Sequence, residues 1–184
     1  MPRITRAALA TAVSFAALTG GATTAHADEA TPRAATTEPS VVQLWNLHSE
    51  KCLTIAKGSL SNGANAEQST CADDLDNQRF ELIPAGSGTF EVRAQHSGRC
   101  LEVKDGGTGL GQNVQQGWCV DRPHQRWKLV IVDFVKELYE LRPAHTQDRC
   151  IGIGNSSLAD GGNVLQWTCN ETTPGYWRLL PVKA

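Results

Sequence analysis

The chain has 184 residues, of which 40% are hydrophobic and 20% charged, and this composition is typical of one globular domain with a short appendage. Its formal net charge of −2 provides no basic stripe, which argues against nucleic acid as a partner. Seventeen glycines and eight prolines predict many turns.

The N-terminus has the order of a secretory signal peptide. Arg3 and Arg6 provide positive charge, an apolar run follows over 7–18, and the tripeptide Ala-His-Ala at 25–27 forms a cleavage site of small residues. The apolar run is short for a bilayer span, so a retained membrane anchor is the weaker alternative. We expect a signal peptide over 1–27 and a secreted, extracellular mature protein with no membrane span.

The composition changes after the signal peptide. Residues 28–40 contain no aromatic or large aliphatic side chain, which predicts a flexible linker because such a segment cannot bury apolar surface. From Val41 onward, short apolar runs alternate with clusters of Gly, Asn, Asp and Ser. This pattern is typical of strands joined by turns and predicts an all-β domain over 41–184.

Internal repeats dominate the rest of the chain. The six cysteines form three pairs separated by 19 residues: Cys52 and Cys71, Cys100 and Cys119, and Cys150 and Cys169. An asparagine, a terminal aromatic residue and a histidine recur with nearly the same period: Asn65, Asn113 and Asn163; Phe80, Trp127 and Trp177; His48, His96 and His145. The pattern predicts three repeats, over 41–87, 88–134 and 135–184.

Three strand-rich repeats of this size need a shared core, because one repeat alone buries too little apolar surface. A threefold arrangement of four-stranded units closes into a barrel with a hairpin cap, the β-trefoil. We expect Phe80, Trp127 and Trp177 in its core, where each ring buries roughly 150–250 Å². The repeated histidines are expected in turns between the first two strands of each repeat, and we predict no metal site.

Two tripeptides carry a resemblance to a known family. Gln78-Arg79-Phe80 and Gln125-Arg126-Trp127 end the first two repeats with a Gln-x-aromatic motif, and each repeat begins with Cys, an aliphatic residue, any residue, and Ile or Val. These motifs resemble the ricin-B-type lectin domain over about 41–184. The third repeat departs, since Gly175-Tyr176-Trp177 retains only the Trp. The resemblance implies a β-trefoil that binds carbohydrate, and we expect no cofactor and a monomer.

The cysteines are expected to form disulfides, because the protein is predicted to be secreted. Six cysteines allow 15 pairings, and the equal spacing selects the three bridges within repeats. Each bridge should contribute roughly 3 kcal/mol by the chain-entropy argument.

The resemblance implies a shallow sugar pocket in each repeat, built from an acid two residues after the first cysteine, an aromatic ring near the second cysteine, and an Asn-Gln pair. The first repeat has Thr54 instead of the acid but keeps Asn77-Gln78. The third has Gly152 in place of the acid, Trp167 at the usual ring position, and Pro174-Gly175 in place of Asn-Gln. Trp167 is suited either to stacking on a sugar or to packing.

The second repeat keeps the most complete set, so it is our preferred pocket. Its candidate contacts are Glu102, Trp118, His124 and Gln125. Trp118 lies one residue later than the usual ring, which in a strand directs a side chain to the other face. Gln78 and Gln125 have an alternative role, the satisfaction of buried backbone groups.

The sequence therefore predicts a non-catalytic carbohydrate-binding protein that recognises an extracellular glycan or polysaccharide. The alternative is a protein-binding trefoil, such as a secreted inhibitor, that has lost sugar binding, and the missing aspartates favour it. An enzyme is the weakest hypothesis, because the fold alone implies no catalysis.

Overall fold

A computed structural model describes residues 40–170 and 172–182. The predicted signal peptide and positions 28–39 of the predicted linker lie outside the described residues. The first strand begins at Ser40, the last residue of that linker. The described residues contain no helix long and apolar enough to cross a membrane.

Twelve strands account for most of the regular structure. They are β1 (Ser40–Asn46), β2 (Cys52–Ile55), β3 (Ala66–Ser69), β4 (Phe80–Pro84), β5 (Phe90–Ala94), β6 (Cys100–Val103), β7 (Gln112–Gly117), β8 (Arg126–Asp133), β9 (Leu138–Pro143), β10 (Arg149–Ile153), β11 (Gly162–Thr168) and β12 (Trp177–Pro181). Six 3₁₀ turns complete the set: Ala56–Gly58, Asp76–Gln78, Lys104–Gly106, Pro123–Gln125, Gly154–Ser156 and Thr173–Gly175.

Six of the strands close into a barrel. The antiparallel pairs β1–β4, β4–β5, β5–β8, β8–β9, β9–β12 and β12–β1 form a complete ring. The other six strands form the hairpins β2–β3, β6–β7 and β10–β11, one from each repeat. A closed ring leaves no barrel edge unpaired. The predicted all-β fold and β-trefoil are confirmed.

The core contains the aromatic residues that recur at the end of each repeat. Phe80, Trp127 and Trp177 are fully buried, as predicted. The indole nitrogen of Trp127 donates to the Leu101 carbonyl at 3.0 Å, and that of Trp177 donates to the equivalent Ile151 carbonyl at 3.0 Å. The two tryptophans thus combine apolar burial with a satisfied polar group.

The three disulfides lie within repeats, as predicted. They join Cys52 to Cys71, Cys100 to Cys119, and Cys150 to Cys169. The described residues include two groups of three potential metal-ligating residues, and each group consists of one glutamate and the two cysteines of a disulfide. The sulfurs in these groups are bonded to each other and are not thiolates, the form that binds metals.

The histidines occupy turns, as predicted, and they connect neighbouring repeats. His48 Nε2 lies 3.0 Å from the Ser156 carbonyl oxygen, and His96 Nε2 lies 3.0 Å from that of Ser59. His145 Nε2 lies 3.0 Å from the Gly107 carbonyl oxygen. Each histidine therefore contacts another repeat, either at the last residue of its 3₁₀ turn or at the residue directly after that turn.

Three buried glutamines strengthen the same junctions, and we did not predict this role. Gln68, Gln116 and Gln166 each occur three residues before the second cysteine of their repeat, and each side-chain amide donates to two backbone carbonyls of a neighbouring repeat's loop. The three repeated asparagines are also linked, because Asn65 Nδ2 donates to Asn163 Oδ1 at 2.7 Å and Asn163 Nδ2 donates to Asn113 Oδ1 at 2.9 Å. The repeats are thus joined by polar contacts as well as by a common core.

Candidate carbohydrate site

The pseudo-threefold fold gives three equivalent candidate sugar pockets. Each lies between one of the hairpins β2–β3, β6–β7 and β10–β11 and the 3₁₀ turn that follows that hairpin. The strand register aligns them residue by residue. Opposite the first cysteine of each hairpin lie Ser69, Gly117 and Trp167. The usual ring position is therefore occupied by a ring only in the third repeat.

The first-repeat position is filled by its own hydrogen bonds. Gln78 is fully buried, and its side-chain oxygen accepts from the Ala72 N–H at 2.8 Å. Its amide nitrogen donates to the Ser69 hydroxyl at 2.9 Å and to the Thr70 carbonyl at 3.0 Å. Asn77 donates to the Ile55 carbonyl at 2.8 Å. Both candidate residues thus hold the backbone in place.

Thr54 completes that network. Its hydroxyl lies 2.7 Å from the Ser69 hydroxyl and accepts from Gln78 Nε2 at 3.2 Å. Thr54 is itself buried. The Thr54 hydroxyl is therefore already engaged by hydrogen bonds within the protein.

In the second repeat, Gln125 has the same structural role as Gln78. It is buried, and its side-chain oxygen accepts from the Val120 N–H at 2.9 Å. Its amide nitrogen donates to the Trp118 carbonyl at 2.7 Å and to Glu102 Oε2 at 2.7 Å. The structural alternative for the two Gln-x-aromatic glutamines thus agrees with their contacts.

Glu102 folds over a glycine and fills its own pocket. A Cβ on Gly117 would lie 2.5 Å from the Glu102 carboxylate carbon, so the carboxylate occupies the space where the third repeat has a ring. Gln115 Nε2 donates to Glu102 Oε1 at 2.9 Å. His124 Nε2 lies 3.7 Å from Oε2. The structure thus brings together Glu102, Gln125 and His124.

Trp118 is not oriented toward that group. Its ring packs against the Arg99 guanidinium, whose central carbon lies 3.8 Å from the ring centroid. Arg99 directly precedes Cys100, and successive side chains of a strand alternate between faces. Because Trp118 lies one residue after the usual ring position, its ring packs against Arg99. The ring is 64% exposed.

The third repeat contains a cavity of about 250 Å³. Trp167 lines it and is 48% exposed, so its ring is available to a ligand. The ring edge lies against Gly111, because a Cβ there would be 3.5 Å from Trp167 Cζ3. Among residues 40–170 and 172–182, every side chain that lines this cavity is uncharged.

The acid slot of the third repeat is covered by backbone. A Cβ on Gly152 would lie 2.7 Å from the Pro174 carbonyl oxygen and 3.1 Å from Gly175 Cα. Asn46 holds this turn in place by donating to the Pro174 carbonyl at 2.9 Å. The Pro174-Gly175 turn therefore occupies the space that an acidic side chain at position 152 would need.

Leu165 is a cavity residue that we did not predict. It lies opposite Gly152 in the β10–β11 register, and a Cβ on Gly154 would be 2.9 Å from its Cδ1. The equivalents of Leu165 are Glu67 and Gln115. Aligning the repeats at this position would have shown that only the third is apolar there.

Comparison with known proteins gives one family. The profile described as ricin-type beta-trefoil lectin domain-like matches residues 33–118 and 76–167. No curated protein matches this sequence.

Solved structures share the fold. The designed threefold-symmetric protein ThreeFoil is 33% identical, with 76% of this chain and 97% of that chain covered and a TM-score of 0.72. An exo-β-1,3-galactanase from Clostridium thermocellum is 28% identical, with 79% of this chain but 31% of that chain covered and a TM-score of 0.74. The Rhizoctonia solani agglutinin, 16% identical, covers 78% of this chain and 96% of its own at a TM-score of 0.70, and supports the fold alone.

Proposed function

The chain belongs to the ricin-type β-trefoil lectin domain-like family, and from this membership we propose that it is a secreted, non-catalytic carbohydrate-binding protein. One observation carries the proposal, namely the half-exposed ring of Trp167 on the wall of the third-repeat cavity. Sugars present flat patches of C–H groups, and an exposed indole face is the surface on which such patches stack. The proposal therefore places binding in the third repeat, in contrast to the second-repeat pocket preferred from sequence.

The contacts of the other two repeats support this choice. Thr54 is buried in a hydrogen-bonded network, and the Glu102 carboxylate covers Gly117 and accepts from two glutamine side chains. A sugar would have to break these bonds before it could bind. With one operating site, we expect weak binding, with a Kd near millimolar, which corresponds to about −4 kcal/mol.

Affinity electrophoresis tests the proposal with a matched pair of tryptophan variants. The protein is run through gels that contain one soluble polysaccharide each, chosen from a glycan-array screen. We expect Trp167→Ala to abolish the retardation, because it removes the stacking surface. Trp118→Ala, which removes an exposed ring outside the cavity, should leave it unchanged. Retardation that survives in Trp167→Ala, or no binding to any glycan, contradicts the proposal.

Secretion is a separate part of the proposal. The three disulfides support it, because disulfides persist in oxidising compartments. N-terminal sequencing of protein from culture medium should find Asp28 as the first residue. Protein retained in cells with residue 1 intact contradicts it.

One feature favours the second candidate, a protein-binding trefoil. At the tip of the β8–β9 hairpin, Phe134 and Val135 are 83% and 90% exposed. The equivalent β4–β5 loop contains Gly86, Ser87 and Gly88. Exposed apolar side chains clustered at a tip are typical of protein contacts. A partner that co-purifies with the wild type but not with a Phe134→Ser, Val135→Ser double variant supports this candidate. Equal recovery of partners with both proteins contradicts it.

A further inference from the structure

The three equivalent pockets differ most at one cross-strand pair of side chains. The pair is Thr54 and Glu67 in the first repeat, Glu102 and Gln115 in the second, and Gly152 and Leu165 in the third. Only the third pair has no hydrogen-bonding side chain. The cavity thus occurs at the repeat whose pair is apolar.

Two glycines on β10 and the turn after it make this apolar surface possible. Gly154 lies under the Leu165 side chain, because a Cβ there would approach Leu165 Cδ1 to 2.9 Å. The equivalents of Gly154 are Ala56 and Lys104. Leu165 and Trp167 alternate with buried residues along β11 and therefore lie on the same strand face. Together they give the cavity a continuous apolar lining.

The polar groups of the cavity are neutral side chains. Asn155, Asn170 and Thr172 line it, and the Thr172 hydroxyl donates to Asn170 Oδ1 at 2.7 Å. Amides and hydroxyls both donate and accept, so they match a neutral amide as well as a hydroxyl group. The cavity thus offers an apolar lining together with amide and hydroxyl partners.

We infer that the third-repeat cavity selects pyranoses that carry a methyl group, with an acetamido sugar as the expected ligand. The inference rests on the proposed carbohydrate-binding function. A sugar hydroxyl placed against Leu165 loses water without gaining a partner, which is costly. A methyl group at the same place is removed from water, and each buried carbon raises the binding affinity by a factor of about four. The acetamido N–H and C=O suit the amide and hydroxyl groups of the cavity.

Two matched ligand pairs test this inference by titration calorimetry or NMR. The β-1,4-linked trimers of N-acetylglucosamine and of glucose differ only in the acetamido groups. L-Fucose carries a methyl group where L-galactose carries a hydroxymethyl group, and the two sugars are otherwise identical. This pair tests whether the cavity also prefers the methyl group of a 6-deoxy sugar. We expect the acetamido trimer to bind at least about fourfold more tightly than its partner, the factor for one buried methyl group.

The outcomes separate this inference from the proposed function. If neither pair shows a preference for the sugar that carries the methyl group, the inference is overturned while carbohydrate binding stands. If a preference occurs only in the fucose pair, the methyl selection stands and the acetamido assignment is overturned. If the wild-type protein binds none of the four sugars and no glycan on an array, both fail.

Variants at Leu165 connect the preference to the cavity. Leu165→Gln installs the residue of the second repeat and should remove the preference for the sugar that carries the methyl group. Leu165→Ala provides a second test without a new polar group and should also reduce the preference. Leu158→Gln changes a leucine that is 61% exposed and does not line the cavity, so it should keep the full preference. A folded Leu165 variant with the wild-type preference overturns the inference.

Discussion

Gly152→Ala tests how tightly the Pro174-Gly175 turn covers the former acid slot. The new Cβ would lie 2.7 Å from the Pro174 carbonyl oxygen and 3.1 Å from Gly175 Cα, and both neighbours are backbone. The turn must move, and it is held by the hydrogen bond from Asn46. Overpacking of this kind costs about 1–3 kcal/mol. We expect a loss of about 2 kcal/mol and a decrease in Tm of roughly 6 °C.

Urea denaturation and thermal melting followed by circular dichroism measure both quantities. Gly175→Ala is the matched control, because a Cβ there meets nothing within 4 Å. The control should change stability by less than about 1 kcal/mol. The same displacement of the turn should weaken sugar binding in Gly152→Ala. A Gly152→Ala protein as stable as the Gly175→Ala protein refutes the argument that the Pro174-Gly175 turn fills the former acid slot.

Gln125→Ala should lower the free energy of unfolding, measured in urea, by about 2 kcal/mol, because the backbone groups of Trp118 and Val120 lose their hydrogen-bond partner. Sugar affinity should stay unchanged. A variant that keeps its stability but loses sugar affinity contradicts the structural role of Gln125. Trp127→Phe should cost about 2 kcal/mol in the same assay, since the Leu101 carbonyl loses its donor, and an unchanged midpoint would argue against that bond. The hydrogen bond from Lys51 holds the pKa of Asp160 below its ordinary value, so Lys51→Met should raise that pKa, as measured by NMR titration. Because the pKa of Asp160 is lowered in the folded state, its pairing with Lys51 stabilises the protein at pH values above the ordinary titration range of aspartate. This stabilisation is lost as the pH falls through the lowered pKa. An Asp160 pKa that is unchanged in Lys51→Met contradicts the pairing.

The repeat pattern was enough to predict the scaffold. The cysteine spacing gave the three disulfides, and the terminal aromatics gave the core, because each feature recurs in every repeat. The position of the histidines in turns followed from the same periodicity. Equivalent residues in a pseudo-symmetric fold have equivalent surroundings, so one correct assignment serves all three copies.

The candidate site was harder to predict, because it depends on where repeats differ. Glu102 suggested a working acid, but the absence of a side chain at Gly117 lets its carboxylate fold back into the pocket. Gly152 suggested a lost acid, yet it accompanies a cavity lined by Leu165 and Trp167. Both effects depend on contacts across strands, which a search for family residues along the chain does not reveal.

An NMR titration with a polysaccharide fragment that retards the protein tests the central claim most directly. The chain has five tryptophans, so the indole N–H signals form a small set that can be assigned by single substitutions. The account predicts that the Trp167 indole signal and the backbone signals of Gly152 and Gly175 shift with sugar, while the Trp118 indole signal does not. Shifts confined to Trp118 and Glu102 would contradict it.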